Sequence, residues 1–134
     1  MRGTKLCLQS QSGVTEKKSA LTLGYCLSKT KSQTWYKTDK SELILSKLLC
    51  LDATKKDPRL MKCHELGGTQ EWKMRDQDPD NSGRGEKTAI YNMAAGLCLT
   101  PQTEKIGTKV EMQVCSEKSH LWLMIDVENK ITEL

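Results

Sequence analysis

The chain repeats one pattern of cysteine and tryptophan residues three times, and this repeat limits the possible folds more than any other feature. Each copy begins with Leu-Cys-Leu, continues to a second cysteine and ends with a tryptophan. The first cysteines are Cys7, Cys50 and Cys98, the second are Cys26, Cys63 and Cys115, and the tryptophans are Trp35, Trp72 and Trp122. The pattern uses all six cysteines and all three tryptophans, so chance does not explain it.

The residues around the cysteines have the alternation of β-strands. Apolar residues occupy every second position in Val110 to Val114, and Leu21-Thr-Leu23 does the same. No segment carries an apolar stripe of helical period and length. One such repeat cannot bury its own apolar face. Three of them therefore predict a closed all-β domain with pseudo-threefold symmetry, in which the tryptophans anchor the core.

Length and composition limit the class of protein but do not identify its function. A chain of 134 residues with 37% apolar content supports one core, which predicts a single domain over 1–134. The net charge of +4 is spread along the chain, and the longest apolar run, Met93 to Leu99, is too short to span a membrane. Six cysteines without a CxxC motif favour disulfides and an oxidising compartment, although composition leaves all 15 pairings open.

The repeats are similar to those of the ricin B-type lectin family, whose fold is the β-trefoil. The middle repeat is the most specific: Cys50-Leu51-Asp52 is followed by C-H-E-L-G-G-T-Q-E-W from Cys63 to Trp72, which resembles the C-terminal lectin domain of polypeptide N-acetylgalactosaminyltransferases. The resemblance implies three repeats, about 1–40, 41–87 and 88–134. It also implies one disulfide in each repeat, pairing Cys7 with Cys26, Cys50 with Cys63 and Cys98 with Cys115.

The resemblance places one sugar-binding site in the middle repeat. Asp52 would accept hydrogen bonds from two neighbouring sugar hydroxyls, and Gln70 would hold that carboxylate in place. His64 would supply a ring or polar contact at the edge of the site, and Gly67-Gly68 would form a tight turn close to the ligand. Thr69 stands where the family has Asn, which predicts weaker binding or a different preferred sugar.

Plainer interpretations of these residues stay open. Asp52 could simply cap a turn, and His64 could be an ordinary surface histidine. The outer repeats lack the pattern: Gln9 and Thr100 replace the aspartate, Ser32 and Ser119 replace the asparagine, and His120 replaces the glutamine. The sequence therefore predicts one working site, with the outer repeats as scaffold.

By this resemblance the chain is a carbohydrate-binding module for N-acetylgalactosamine or galactose-type sugars on O-glycosylated peptides. It would guide an attached glycosyltransferase domain to partly glycosylated acceptors. The module itself should catalyse nothing and need no cofactor, because manganese and a UDP-sugar belong to the catalytic domain. The parent protein is expected to be a type II membrane protein with this module in the Golgi lumen, and the module should neither bind nucleic acid nor insert into the membrane.

Three alternatives remain. The chain could be a free-standing or toxin-associated lectin, or a trefoil that has lost sugar binding and serves as a protein-interaction scaffold. A basic surface formed by Lys17-Lys18 and Lys55-Lys56 could bind acidic glycans. A calcium loop starting at Asp76 is disfavoured, because Asn81 and Lys87 stand where glycine and glutamate are needed. The segment 76–87 is instead predicted to be an inserted surface loop.

Overall fold

The computed structural model describes residues 6–11, 18–27, 30–45, 49–54, 56–74, 87–115, 122–125 and 130–133. This part of the chain consists of thirteen strands and two short 3-10 turns, at Lys31–Gln33 and Gly68–Gln70. The strands are β1 (Leu6–Ser10), β2 (Leu21–Tyr25), β3 (Trp35–Lys37), β4 (Leu43–Leu45), β5 (Leu49–Asp52), β6 (Arg59–Lys62), β7 (Trp72–Met74), β8 (Lys87–Thr88), β9 (Ile90–Asn92), β10 (Leu97–Pro101), β11 (Val110–Val114), β12 (Trp122–Ile125) and β13 (Lys130–Glu133). None of the elements in these ranges is a helix that could cross a membrane.

Three antiparallel sheets repeat one plan. Their strand orders are β3-β4-β5-β6, β7-β9-β10-β11 and β12-β13-β1-β2, and β8 extends the third along β12. Each sheet takes its tryptophan strand from one repeat and its Leu-Cys-Leu hairpin from the next. In the third sheet the next repeat is the first one, so β1 pairs with β13 through Cys7 and Thr132. The predicted all-β architecture with three equivalent parts is confirmed, while the limits of the repeats and of the domain stay predictions.

Equivalent apolar pairs from the three hairpins form the centre of the core. Each pair joins the second leucine of Leu-Cys-Leu to the residue three positions before the second cysteine, and every member is buried. The pairs are Leu8 with Leu23, Leu51 with Leu60, and Leu99 with Met112. Because side chains alternate along a strand, the residue that follows each of these leucines points away from the core. That position holds Gln9, Asp52 or Thr100.

The three tryptophans anchor this core, as the repeat predicts. Trp35, Trp72 and Trp122 are fully buried, and each indole donates its Nε1–H to the backbone oxygen of the second leucine in Leu-Cys-Leu. The distances are 3.0 Å to Leu8, 2.9 Å to Leu51 and 3.1 Å to Leu99. One contact thus satisfies a buried donor and a buried acceptor, and it fixes the strand immediately before the Gln9, Asp52 or Thr100 position.

The three disulfides are the ones that the family resemblance implies. Cys7 is bonded to Cys26, Cys50 to Cys63, and Cys98 to Cys115. Each bond joins the open ends of one hairpin, with paired Cα atoms 5.1 to 5.2 Å apart. By restricting the unfolded chain, each should contribute about 2 to 4 kcal/mol to stability.

Replacing any one of the three tryptophans with phenylalanine should lower the free energy of unfolding by about 2 kcal/mol or more. The phenyl ring leaves the leucine carbonyl buried without its donor and leaves part of the indole volume empty. Urea unfolding followed by circular dichroism should give similar losses for Trp35→Phe, Trp72→Phe and Trp122→Phe. Tyr36→Phe, at an exposed ring of the same sheet as Trp35, should change stability by less than about 0.5 kcal/mol. A loss at only one tryptophan would contradict the equivalence of the three contacts.

Candidate functional site

Asp52 ends strand β5, and its carboxylate is held from two sides. The residue is only 6% exposed. Gln70 Nε2 donates to Oδ2 at 2.9 Å, and the Thr54 backbone N–H donates to Oδ1 at 2.8 Å. The Thr54 hydroxyl donates to the same Oδ1. The carboxylate is therefore fixed at the surface end of the hairpin by neutral donors.

Gln70 positions Asp52 because its own amide is fixed at both ends. Its Nε2 also donates to the Lys62 carbonyl at 3.0 Å, and its Oε1 accepts the His64 backbone N–H at 3.1 Å. Reversing the amide would break both backbone contacts, so Nε2 must face the carboxylate. The positioning contact implied for Gln70 by the family resemblance is present in the structure.

His64 lies on the exposed turn that follows the second cysteine of the repeat. Its Nδ1 accepts the Leu66 backbone N–H at 3.0 Å, so a neutral ring carries its proton on Nε2 and offers that donor to the surface. The predicted tight turn is confirmed: Gly67 and Gly68 have φ angles of 72° and 61°, which glycine adopts without strain.

Thr69 is positioned mainly through its backbone. Its carbonyl accepts the Ala53 N–H at 2.9 Å and Asn92 Nδ2 at 2.8 Å. Its hydroxyl lies 3.4 Å from the Thr54 hydroxyl, which itself contacts Asp52. The structure thus brings Asp52, Gln70, His64 and Thr69 together around one turn.

Two residues of the site were not anticipated from the sequence. The Asp-x-Thr spacing is a turn signal that could have identified Thr54, because an aspartate often accepts the N–H two residues ahead. No comparable signal identifies Asn92. This residue lies on strand β9, 23 residues after Thr69 in the sequence, and its side-chain amide donates to the Thr69 carbonyl. Asp52 caps a turn, as the plainer interpretation proposed, and it also faces the other site residues.

The pKa of Asp52 reflects a competition between burial and hydrogen bonding. Burial is the largest single influence and raises the pKa, but donors from Thr54, Gln70 and Thr69 act together in the opposite direction and hold it below the usual carboxyl value. Asp52 is therefore ionised at neutral pH and offers only hydrogen-bond acceptors.

The first repeat contains a neutral copy of this network. Gln33 Nε2 donates to the Tyr25 carbonyl at 2.7 Å and to Gln9 Oε1 at 2.9 Å, and Gln33 Oε1 accepts the Leu27 N–H at 2.9 Å. Gln9 takes the place of Asp52, and its amide lies so close to Gly24 that a Cβ there would meet Gln9 Oε1 at 2.2 Å. This repeat has the positioning amide but no charge to position.

The third repeat differs more. The Thr100 hydroxyl turns back to the Cys98 carbonyl at 3.1 Å. A carboxylate, Glu111, stands opposite Thr100 on β11, but it is nearly buried. Its oxygens lie 2.8 Å from Gln113 Nε2, 3.4 Å from Gln102 Nε2 and 3.7 Å from Lys56 Nζ. Ser119 and His120 lie outside the described residues.

Metal binding finds no support in the described ranges, where no group of three or more histidine, cysteine, aspartate or glutamate side chains could hold an ion. Most of the 76–87 segment, including the start of the calcium-like pattern at Asp76, lies outside those ranges. That the module needs no cofactor stays a prediction.

The three equivalent sheets define a β-trefoil. The solved structure of ThreeFoil, a designed 3-fold symmetric protein, superposes with a TM-score of 0.68 over 98% of this chain and 96% of its own, at 14% identity. Residues 1–87 match the family model of the ricin-type beta-trefoil lectin domain. The chain belongs to this family and is a lectin domain, as its repeats predicted.

A curated relative is polypeptide N-acetylgalactosaminyltransferase 11 of Xenopus tropicalis. It is 33% identical over 129 residues, which cover 88% of this chain and 20% of the relative. The chain thus spans about a fifth of the length of that relative, and the similarity agrees with the subgroup indicated by the middle repeat.

Replacing Asp52 with asparagine should lower the free energy of unfolding at pH 7 by about 1 to 3 kcal/mol, because the new amide presents a donor to Gln70 or Thr54. The native pKa of Asp52 is lowered, so its stabilising effect is complete above the unfolded value of about 4 and is lost as the pH falls through the native value. Urea unfolding at a series of pH values should show the wild-type advantage shrinking below about pH 4. Glu104→Gln, at an exposed loop carboxylate, should show little difference at any pH, and an Asp52→Asn loss independent of pH would contradict the prediction.

Proposed function

We propose that the chain binds N-acetylgalactosamine or galactose-type sugars on O-glycosylated peptides through Asp52. The observation that carries this proposal is the ionised, nearly buried carboxylate that Gln70 and Thr54 fix at the end of β5, beside the turn that holds His64 and Thr69. Neighbouring hydroxyls of a sugar are donors that a fixed carboxylate can accept together, and charged acceptors make the stronger hydrogen bonds.

The hydrogen-bond capacity of Asp52 supports this proposal. A carboxylate offers about four acceptor positions. The Thr54 N–H and hydroxyl occupy two of them on Oδ1, and Gln70 occupies one on Oδ2. One position on Oδ2 remains for a sugar hydroxyl if the Thr69 hydroxyl, which also acts on this carboxylate, leaves it free. A second position opens if the exposed Thr54 hydroxyl rotates toward water. His64 Nε2–H and the Thr69 hydroxyl can complete the contact at the edges.

The weak affinity expected of such a site suits a module that is tethered to another domain. A few sugar hydrogen bonds contribute about 1 kcal/mol each, because water already satisfied the same groups. After the cost of association, the dissociation constant is of millimolar order. A linker supplies an effective concentration of about the same order, so one weak site can bias where an attached domain acts.

The role proposed is to guide an attached glycosyltransferase domain to glycopeptides or glycoproteins that already carry N-acetylgalactosamine. The N-acetylgalactosaminyltransferase relative supports this role, since the chain matches one section of that longer protein. Manganese and a UDP-sugar would belong to the attached domain. The three disulfides fit an oxidising compartment, which supports localisation of the domain in the Golgi lumen.

A protein-interaction scaffold is the second candidate. It is favoured by the small exposure of Asp52 and by the threonine hydroxyls at the places where sugar hydroxyls would bind. In that case the carboxylate serves only the turn after β5.

Titration with a peptide carrying N-acetylgalactosamine should distinguish the two candidates. In ¹⁵N-labelled protein, resonance shifts should centre on Asp52, His64 and Thr69, and should be small at Gln9 and Thr100. The same peptide carrying N-acetylglucosamine, which differs in the direction of its 4-hydroxyl, should bind more weakly. Asp52→Asn should abolish the shifts, and Glu104→Gln should leave them unchanged. Shifts centred on an outer repeat, or a response that survives Asp52→Asn, would contradict the proposed site.

Replacing Thr69 with asparagine should strengthen binding of the same glycopeptide by about threefold to tenfold, since a carboxamide donates and accepts with a longer reach than a hydroxyl. Isothermal titration calorimetry would measure the change. Thr103→Asn, at an exposed threonine of the third repeat, is the matched control and should have no effect. Unchanged or weaker binding after Thr69→Asn would show that this side chain does not limit affinity.

A further inference from the structure

A cleft of about 200 Å³ opens beside the proposed sugar site. Its walls combine two cationic side chains, two carboxylates, a hydroxyl and one apolar side chain: Lys18, Arg59, Asp52, Asp57, Thr54 and Met61. Asp52 and Thr54 belong to both the cleft and the sugar site, whereas His64 and Thr69 do not line the cleft. A ligand held at Asp52 could therefore extend into it.

Arg59, which lines this cleft, carries a donor without a partner. It stands directly opposite Asp52 in the pairing of β5 with β6. Its Nε is buried and has no hydrogen-bond partner. A buried donor without an acceptor is costly, so a shift of the Arg59 side chain that brings Nε to a ligand oxygen would remove this cost.

Lys18 is brought to the same place by the first repeat. Its backbone N–H donates to the Leu60 carbonyl at 2.5 Å, and the next carbonyl, of Ser19, accepts the Leu60 N–H at 3.0 Å. These contacts hold Lys18 beside β6, and its φ of 72° lies in the left-handed region that lysine rarely adopts. A left-handed conformation persists where the surrounding contacts fix it, and the two hydrogen bonds to Leu60 do so here.

The charges of the cleft are unevenly compensated. Asp57 is paired with Lys109 at 3.3 Å, and Asp52 is satisfied by neutral donors. Among the described residues, no carboxylate lies within ion-pair distance of Lys18 or Arg59. Two cations thus stand without ion-pair partners in a cleft whose two carboxylates are already bonded to other groups.

We propose that Lys18 and Arg59 form an oxyanion subsite that binds a carboxylate or sulfate carried on the same ligand as the sugar. This inference rests on the proposed function, because the sugar at Asp52 would deliver the anion to the cleft. The anion could come from an acidic residue of the peptide beside the glycosylated threonine, or from an acidic substituent on the sugar itself. Arginine is suited to such groups because its planar fork donates two parallel hydrogen bonds.

The test compares three glycopeptide probes by isothermal titration calorimetry at low ionic strength. The first carries N-acetylgalactosamine on threonine between neutral residues, the second has aspartate on each side of that threonine, and the third has neutral neighbours and a 6-O-sulfated sugar. One or both anionic probes should bind about fivefold more tightly than the neutral probe. Which of them does so identifies the peptide or the sugar as the source of the anion.

Variants of Lys18 and Arg59 test whether these two side chains cause the tighter binding of the anionic probes. Lys18→Gln with Arg59→Gln should remove the anionic advantage and leave the affinity for the neutral probe unchanged. Lys37→Gln with Lys105→Gln, which removes two exposed charges outside the cleft, should keep the advantage. Arg59→Lys retains the charge but loses the Nε donor. This variant should therefore keep only part of the affinity advantage for the anionic probes. Circular dichroism would verify that each variant is folded.

Two results would overturn the subsite: no advantage for either anionic probe, or an advantage that survives the double cleft variant. If no probe binds at all, the proposed sugar function fails and the subsite is tested alone. Sodium sulfate titrated at constant ionic strength should then shift the Arg59 Nε–Hε resonance to saturation in the wild type, and less in Lys18→Gln. An unmoved resonance would overturn the subsite independently of the sugar.

Discussion

The hydrogen bond from each tryptophan indole to a leucine carbonyl is the contact on which the rest of the molecule depends. It links the tryptophan strand of a repeat to the Leu-Cys-Leu strand of the same repeat, 21 to 27 residues earlier in the chain. The acceptor belongs to the residue just before Gln9, Asp52 or Thr100, so one buried contact sets both the packing of the core and the place of the side chain that points away from it. The scaffold is thus the same in all three repeats, and only the side chain it presents differs.

The charge at the middle position separates the candidate site from its two relatives. Gln33 and Gln70 make equivalent contacts with the backbone around the second cysteine, but Gln33 holds an amide and Gln70 holds a carboxylate. In the third repeat the hydroxyl of Thr100 satisfies its own strand. A single aspartate within a threefold scaffold therefore confines the charged acceptor at this position to one repeat.

Much of this organisation follows from short-range pattern. The repeat of Leu-Cys-Leu, second cysteine and tryptophan predicts the strands, the buried indoles and the threefold plan, because each depends on residues at fixed spacing. The family resemblance supplied the disulfide pairing and the Asp52–Gln70 contact. Lys18, Arg59 and Asn92 could not be assigned in this way, since Lys18 and Asn92 reach the site from neighbouring repeats and the unused donor of Arg59 depends on three-dimensional packing.

The pairing of β1 with β13 has a consequence for the order in which the molecule assembles. The first Leu-Cys-Leu strand finds its partner across nearly the whole chain, so its sheet cannot close until the last strand has been synthesised. Until then β1 has an unpaired edge, the feature that invites pairing with another molecule. The disulfide between Cys7 and Cys26 can form earlier and hold the β1–β2 hairpin while the last strand is still to come. Loss of β13 would therefore expose β1 as much as β12.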